Sequence, residues 1–263
     1  MTVDGSPGHG PPALRDHLLN PLAIYILAAL LIPRLVSVIL WAVVPGPEAG
    51  WPRAVQEAAV TGGVLAAQGA ALIILTLSHV TGPRGLGLPA RVLGLFASGW
   101  RSGLGLGLAG GALLILVNIL GSRAAAILFG LLLGEDALAR HLLRERGVVT
   151  GLFLLELPWP VLALLLFSSV IMAPVSEELF FRGYLHGVLR DRLGPRAAYV
   201  SGAAFAAVHM YLVHFLPLFI IGVLLARIYE RGGSLVAPIV AHATVNLVVA
   251  LSVLLLRSAV PGP

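Results

Sequence analysis

The stretch VLALLLFSSVIMAPVSEELFFRGYL, residues 161–185, decides how this chain folds. The apolar run from Val161 to Ala173 is too short to cross a bilayer, which takes ~20 residues. It continues past Pro174 through two adjacent carboxylates, Glu177 and Glu178, to Leu189. Such a run reads as one long or kinked helix, and it carries Glu177, Glu178 and Arg182 to membrane depth. Ionisable groups are expensive there and face a bundle interior or a water-filled cavity, so they are functional candidates by default.

The composition agrees with a bilayer-embedded protein. Hydrophobic residues make up 58% of the chain and charged residues 11%, where a soluble domain would carry about 25% charge. The net charge of +5 comes from arginine alone, since no lysine occurs. The arginines sit in short connections between apolar runs, as orientation signals do, so the expected partner is the lipid bilayer and no nucleic acid. The lack of cysteine excludes disulfides, iron–sulfur ligation and thiolate zinc sites, and leaves His, Glu and Asp as the only ligands for a metal.

Residues 1–20, rich in proline and glycine, have no signal-peptide layout and read as a disordered cytoplasmic tail. Spans long enough to cross run from Pro21 to Val44, Ala59 to Val80, Leu104 to Leu120, Ala197 to Phe215 and Leu235 to Leu256. The Val161–Leu189 rod and the shorter Leu216–Tyr229 complete an all-α, polytopic transmembrane bundle of about seven or eight membrane helices around an intramembrane cleft. Membrane helices and an interfacial helix occupy 21–150, motif-bearing helices occupy 151–263, and 21–258 form a single integral domain. Ala124–Leu133 is too brief to cross alone. It runs into Glu135–Arg146, whose leucines Leu138, Leu142 and Leu143 alternate with Arg140, Arg144 and Arg146 in the manner of an interfacial amphipathic helix. Arg84, Arg91 and Arg101, and again Arg190, Arg192 and Arg196, place their loops in the cytoplasm. Seven spans then put Arg140, Arg144 and Arg146 on the opposite side, a conflict that a further crossing or re-entrant segment near Ala124 would relieve.

Depth links the polar positions. At ~1.5 Å rise per residue, Glu177 and His209 each lie ~20 Å along their helices from the Arg190–Arg196 loop, and His242 and Asn246 lie ~17 and ~22 Å beyond Arg231. Glu178 and Arg182, four residues apart in acid-before-base order, face and neutralise each other. Glu177 is rotated by ~100° from Glu178 and has no cation on its own helix, which leaves it free to act on a water as general base. His242 and Asn246 present an imidazole and an amide to one place, where they can hold a carbonyl oxygen as it becomes negative. Each residue also has a bland reading: Glu178 and Arg182 as a structural buried pair, His209 and Asn246 as interhelical hydrogen bonds, Phe205 as packing. His79, His141, His186 and His214, near helix ends or loops where a ring can reach water, carry no expected chemistry.

Glu-Glu-x-x-x-Arg at Glu177, Glu178 and Arg182, Phe-x-x-x-His at Phe205 and His209, and His-x-x-x-Asn at His242 and Asn246 resemble the ordered motifs of the CAAX-processing and bacteriocin-processing (CPBP, Abi) intramembrane proteases. The likeness covers Pro174 to Asn246; the first 150 residues agree only in being membrane helices. The resemblance implies an endopeptidase in which Glu177 and His209 activate water, His242 and Asn246 stabilise the oxyanion, and Glu178 and Arg182 support them. It also carries a metalloprotease label, and Glu177, His209 and His242 offer the ligand types of a catalytic zinc. A metal-free reading that requires no cofactor is preferred, because a carboxylate–imidazole pair can activate water alone and the chain offers no separate general base.

Other designs fit less well. No His-Glu-x-x-His zinc motif occurs, no aspartate falls within a span, and the Gly-x-Ser-Gly of a serine design is broken by Tyr199 before Ser201-Gly202. A transporter using Glu177 as its proton site would show an internal repeat, and none is seen. The remaining rival is a non-catalytic immunity or scaffold partner that keeps the helical frame. The expected enzyme resides in a membrane, most simply the bacterial inner membrane, with its cleft opening toward the cytoplasm. Its substrate is a membrane-anchored protein or peptide; the resemblance offers prenylated carboxy-terminal motifs, bacteriocin-type peptides and carboxy-terminal sorting signals. The arginine-only, alanine- and glycine-rich composition points to a GC-rich bacterial genome, and so away from prenylated substrates.

Overall fold

The computed structural model describes residues 20–81, 100–145 and 148–259. Arg84, Arg91, Arg146 and all but the last residue of the predicted tail lie outside them. Every regular element among the described residues is helical. Helices α1 (Asn20–Val43) and α2 (Arg53–Thr81) form a hairpin. Helix α3 (Trp100–Leu133) is followed across Gly134, at φ 86°, by α4 (Glu135–Glu145) and then α5 (Val148–Phe153).

The rod foreseen around Pro174 runs from Trp159 to Leu193 and is not uniform. It consists of α6 (Trp159–Leu166), a π-helical turn at Phe167–Met172, α7 (Ala173–Glu178), a second π-helical stretch at Leu179–His186, and α8 (Gly187–Leu193). Gly194, at φ 54°, turns the chain into α9 (Ala197–Val208), and α10 (Phe215–Gly232) and α11 (Val236–Ala259) complete the bundle. Among the described residues, five stretches are long and apolar enough to cross a membrane: Tyr25–Ala49, Arg53–Val80, Trp100–Leu133, Trp159–Val208 (which includes the turn at Gly194) and Val236–Ser258. The protein is therefore an all-α helical membrane bundle.

Two local expectations change. The residues from Ala124 to Leu133 do not form a separate or re-entrant element; they continue α3, which at ~1.5 Å per residue is ~50 Å long. With no break between Leu120 and Ala124, α4 stays on the face opposite Arg190 and Arg192, and the extra crossing that would have moved its arginines is not formed. The run Ala197–Phe215 does not continue as one helix either. It stops at Val208, and Met210 takes a left-handed φ of 55°, a conformation that interrupts a right-handed helix.

Small residues set how the rods pack. Gly103, Gly107 and Gly111 recur every four residues and are buried along one face of α3, as their spacing predicts for close helix packing. A Cβ at these positions would meet Val236, Val240 and Thr244 in turn, so α3 and α11 run parallel in close contact. Gly110 meets Ile228 and Gly121 meets Pro217, which makes α10 antiparallel to α3. Arg257, near the end of α11, donates to the Leu155 carbonyl before the long rod begins. The end of α3, the 209–214 loop, the start of the rod and the end of α11 thus share one face of the bundle, and the Gly194 turn lies at the other.

The tightest of these contacts makes a test. A Cβ on Gly107 would lie 2.6 Å from Val240 Cβ and 2.8 Å from the Ala237 carbonyl, whereas one on Gly105 meets nothing within 4 Å. Gly107→Ala should lower stability by about 1–3 kcal/mol through overpacking, with Gly105→Ala neutral or slightly stabilising, as read by reversible unfolding in detergent micelles.

Candidate active site

The two adjacent carboxylates of the long rod have opposite surroundings. Glu178 and Arg182 are both 0% exposed. Glu178 Oε1 accepts one bond from Arg182 Nη1 at 2.8 Å and another from His242 Nδ1 at 2.9 Å. Arg182 Nη2 donates to the Gly222 carbonyl at 2.9 Å, and its guanidinium lies 4.8 Å from the centre of the Phe205 ring. That carbonyl comes within reach because α9 and α10 touch backbone to backbone: a Cβ on Gly222 would sit 2.9 Å from Gly202 Cα. One ion pair, formed at the i,i+4 spacing read from the sequence, thus ties the rod to α10 through Gly222 and to α11 through His242.

Glu177 projects elsewhere. It lines a cavity of about 370 Å³ together with Ser168, Ser169 and Ser176 of the same rod, Gln68 of α2, His209 and Tyr211 beyond α9, and Asn246 of α11. Leu65, Gly69, Leu72 and Ala173 complete the wall. Glu177 Oε2, like Glu178 Oε2, is buried with no hydrogen-bond partner among the described residues.

His209 closes α9. Its Nδ1 lies 2.8 Å from the Phe205 carbonyl, which can only accept, so Nδ1 carries a proton and Nε2 is the nitrogen left for chemistry. The same reasoning applies to His242: Nδ1 donates to Glu178, and Nε2 is left over. His242 belongs to the buried ion pair and is not part of the cavity wall that Glu177, His209 and Asn246 share.

Asn246 is held by a defect in the long rod. In the π-helical turn the Ala173 N–H bonds back five residues to Ser168 O. The next donor in that register would be residue 174, a proline without an N–H, and the Ser169 carbonyl would lose its partner. Asn246 Nδ2 supplies it, at 2.8 Å. One amide hydrogen is therefore structural, and the second remains for the cavity.

The donor types expected for zinc are present, but their arrangement does not suit one ion. Among the described residues no three His, Asp or Glu side chains are grouped to hold a metal, the set Glu177, His209 and His242 included.

The sequence reading singled out Glu177, His209 and Asn246 but not the other cavity residues, Gln68 and Tyr211 among them. Gln68 makes no hydrogen bond among the described residues and sits mid-way along α2, and an amide at that depth was the available signal. Tyr211 was hidden by the assumption of a continuous helix through Phe215. The turn at Met210 brings it onto the same cavity as His209. His186 also departs from expectation: it does not reach water but is 0% exposed, with Nε2 3.1 Å from Glu230 Oε1. Glu230 is further held by Arg190 at 2.7 Å and Arg227 at 2.8 Å, so His186 is a tie between the long rod and α10.

Residues 158–248 match the family model for the type II CAAX prenyl endopeptidase Rce1-like. This region is thus similar to the Rce1-like family, in line with the resemblance that the ordered motifs carry. The chain is also 31% identical, over 78 residues, to the UPF0177 protein YxdF of Lactococcus lactis subsp. lactis (strain IL1403), a match that takes in 29% of this chain and 43% of that protein. The matched part thus spans less than half the length of that curated relative. No solved structure matches the chain significantly. The matched region coincides with the helices that carry the ion pair and most of the cavity.

The buried pair predicts a thermodynamic cycle. Arg182→Met leaves Glu178 uncompensated and should cost about 3–5 kcal/mol, while Glu178→Gln combined with Arg182→Met should cost less than the sum of the two single changes. Unfolding in a detergent that keeps the wild type folded reads both.

Proposed function

We propose that the chain is an intramembrane endopeptidase that hydrolyses a peptide bond near the terminus of a membrane-anchored protein or peptide. The observation that carries this reading is the Glu177 carboxylate sharing a cavity inside a membrane bundle with the His209 imidazole. The Rce1-like match over the same helices supports it.

In this mechanism the substrate carbonyl enters the cavity beside Asn246, and a water lies between Glu177 and His209 Nε2. Glu177 takes a proton from the water as its oxygen attacks the carbonyl carbon. The second amide hydrogen of Asn246 stabilises the oxyanion, while His242, which is not on the cavity wall, holds Glu178 in place. Collapse of the tetrahedral intermediate breaks the C–N bond, and the proton held by Glu177 passes to the departing amine. The products are a new carboxy terminus and a new amino terminus. Glu178 and Arg182 hold the rod that presents Glu177 and do not touch the substrate.

No cofactor is required on this reading, and the lack of a three-ligand cluster favours it over a zinc centre held by Glu177, His209 and His242. We place the enzyme in a bacterial inner membrane, with the Arg190–Arg196 loop in the cytoplasm. Its substrates are then bacteriocin-type peptides or carboxy-terminal sorting signals ahead of prenylated termini.

The test is cleavage of membrane-anchored peptides by purified protein. Glu177→Gln and His209→Ala should each lower kcat by ~10²–10⁴-fold with unfolding behaviour retained, and a chelator should leave wild-type cleavage intact. Function unchanged in Glu177→Gln would favour a non-catalytic binding partner, and chelator-sensitive cleavage would restore the zinc reading.

A further inference from the structure

Glu145 lies far from the family motifs, at the end of amphipathic helix α4, and it is only 8% exposed. Its carboxylate is fully engaged with a distant segment. Oε1 accepts the Leu212 and Val213 backbone N–H groups at 2.6 and 2.7 Å, and Oε2 accepts the His214 N–H at 3.1 Å and His214 Nδ1 at 2.6 Å. Residue 214 precedes the first residue of α10. One carboxylate therefore satisfies donors at that helix start, where the helix dipole also favours a negative charge.

The bonded segment is the lower half of the loop that carries His209 and Tyr211 into the cavity. Between the two halves stands Met210 at φ 55°, a backbone region that a bulky L-residue occupies only when its surroundings over-determine it. The surroundings are visible on both sides. Upstream, His209 is fastened to the Phe205 carbonyl, and downstream, residues 212–214 are fastened to Glu145. Burial pushes the Glu145 carboxyl up, but the bonds from Val213, His214 and Leu212 outweigh it and hold the group below its ordinary range. The clamp is thus a carboxylate at neutral pH.

We infer that Glu145 is a positioning residue: by clamping residues 212–214 it sets His209 and Tyr211 against the Glu177 cavity, and it makes their placement depend on how α4 is seated at the membrane surface. The positional part rests on geometry alone; its effect on rate rests on the function proposed above. Leu143 of α4 is exposed on the outside of the bundle, so the helix has the apolar surface to lie in the lipid interface. Glu145 couples that surface to the loop.

The chain has no cysteine, so nitroxide labels at Leu212→Cys and Ala66→Cys report the position of the loop relative to α2 in liposomes. The expected result is a broadened distance distribution in Glu145→Ala, a smaller broadening in Glu145→Gln, which keeps one acceptor oxygen, and none in the control Asp136→Asn. In unlabelled protein kcat should fall ~100-fold in Glu145→Ala, the scale of an ~1 Å misplacement of a catalytic group, with KM little changed. An unchanged distance distribution overturns the clamp. A broadened distribution with unchanged kcat overturns the positioning role and leaves the proposed function standing. If wild-type protein cleaves no peptide, the proposed function fails separately, and the distance distribution alone then decides whether Glu145 positions the loop.

Discussion

The structure turns on one buried ion pair. Glu178 and Arg182 are wholly removed from solvent in an apolar bundle, where a single unpaired charge would be prohibitive. Each is therefore confined to a geometry in which Glu178 Oε1 meets Arg182 Nη1 and His242, and Arg182 Nη2 meets the Gly222 carbonyl. That requirement fixes the long rod against α10 and α11 at one depth. The neighbouring carboxylate is left outside this network: among the described residues no ion pair is formed by Glu177, which lines the cavity instead.

Irregular backbone does the rest of the placing. A uniform α-helix would satisfy its own carbonyls and offer nothing to its neighbours. The π-helical turn before Pro174 leaves the Ser169 carbonyl to Asn246, which seats that amide on the cavity wall. The break after Val208 likewise puts His209 at a helix end and brings Tyr211 round to the same space. Gly202 and Gly222, by allowing backbone contact, deliver the carbonyl that Arg182 needs. Backbone departures of this kind are tolerated inside a membrane only where protein or a water-lined cavity satisfies the freed groups. Here they surround the candidate site.

Much of this was legible in the sequence, for reasons that can be named. The long rod, the Glu178–Arg182 pair and the glycine face of α3 follow from hydrophobic length and from three- and four-residue helical spacing, which do not depend on distant partners. The likeness to CAAX-processing proteases rested on seven residues in order, and the Rce1-like match over residues 158–248 bears it out. What could not be read depended on departures from regular helix. Hydropathy does not register a left-handed residue such as Met210, so Tyr211 stayed hidden and α9 was read as too long. It does not register continuity either, and α3 was divided at Ala124. The burial of His186 depends on Glu230, 44 residues away, and the partners of Glu145 lie 67 to 69 residues away; local pattern carries no trace of either.

On the proposed mechanism, one carboxylate of this membrane bundle is neutralised for structure while its neighbour works on water. The most direct measurement of that claim is a single turnover of a membrane-anchored peptide in heavy-oxygen water, followed by mass analysis of both product and protein. Direct attack by a water that Glu177 activates predicts one heavy oxygen in the new carboxy terminus and none in the protein. Heavy oxygen in the Glu177 side chain, with the product unlabelled, would mean that Glu177 attacks the substrate itself and would contradict the account.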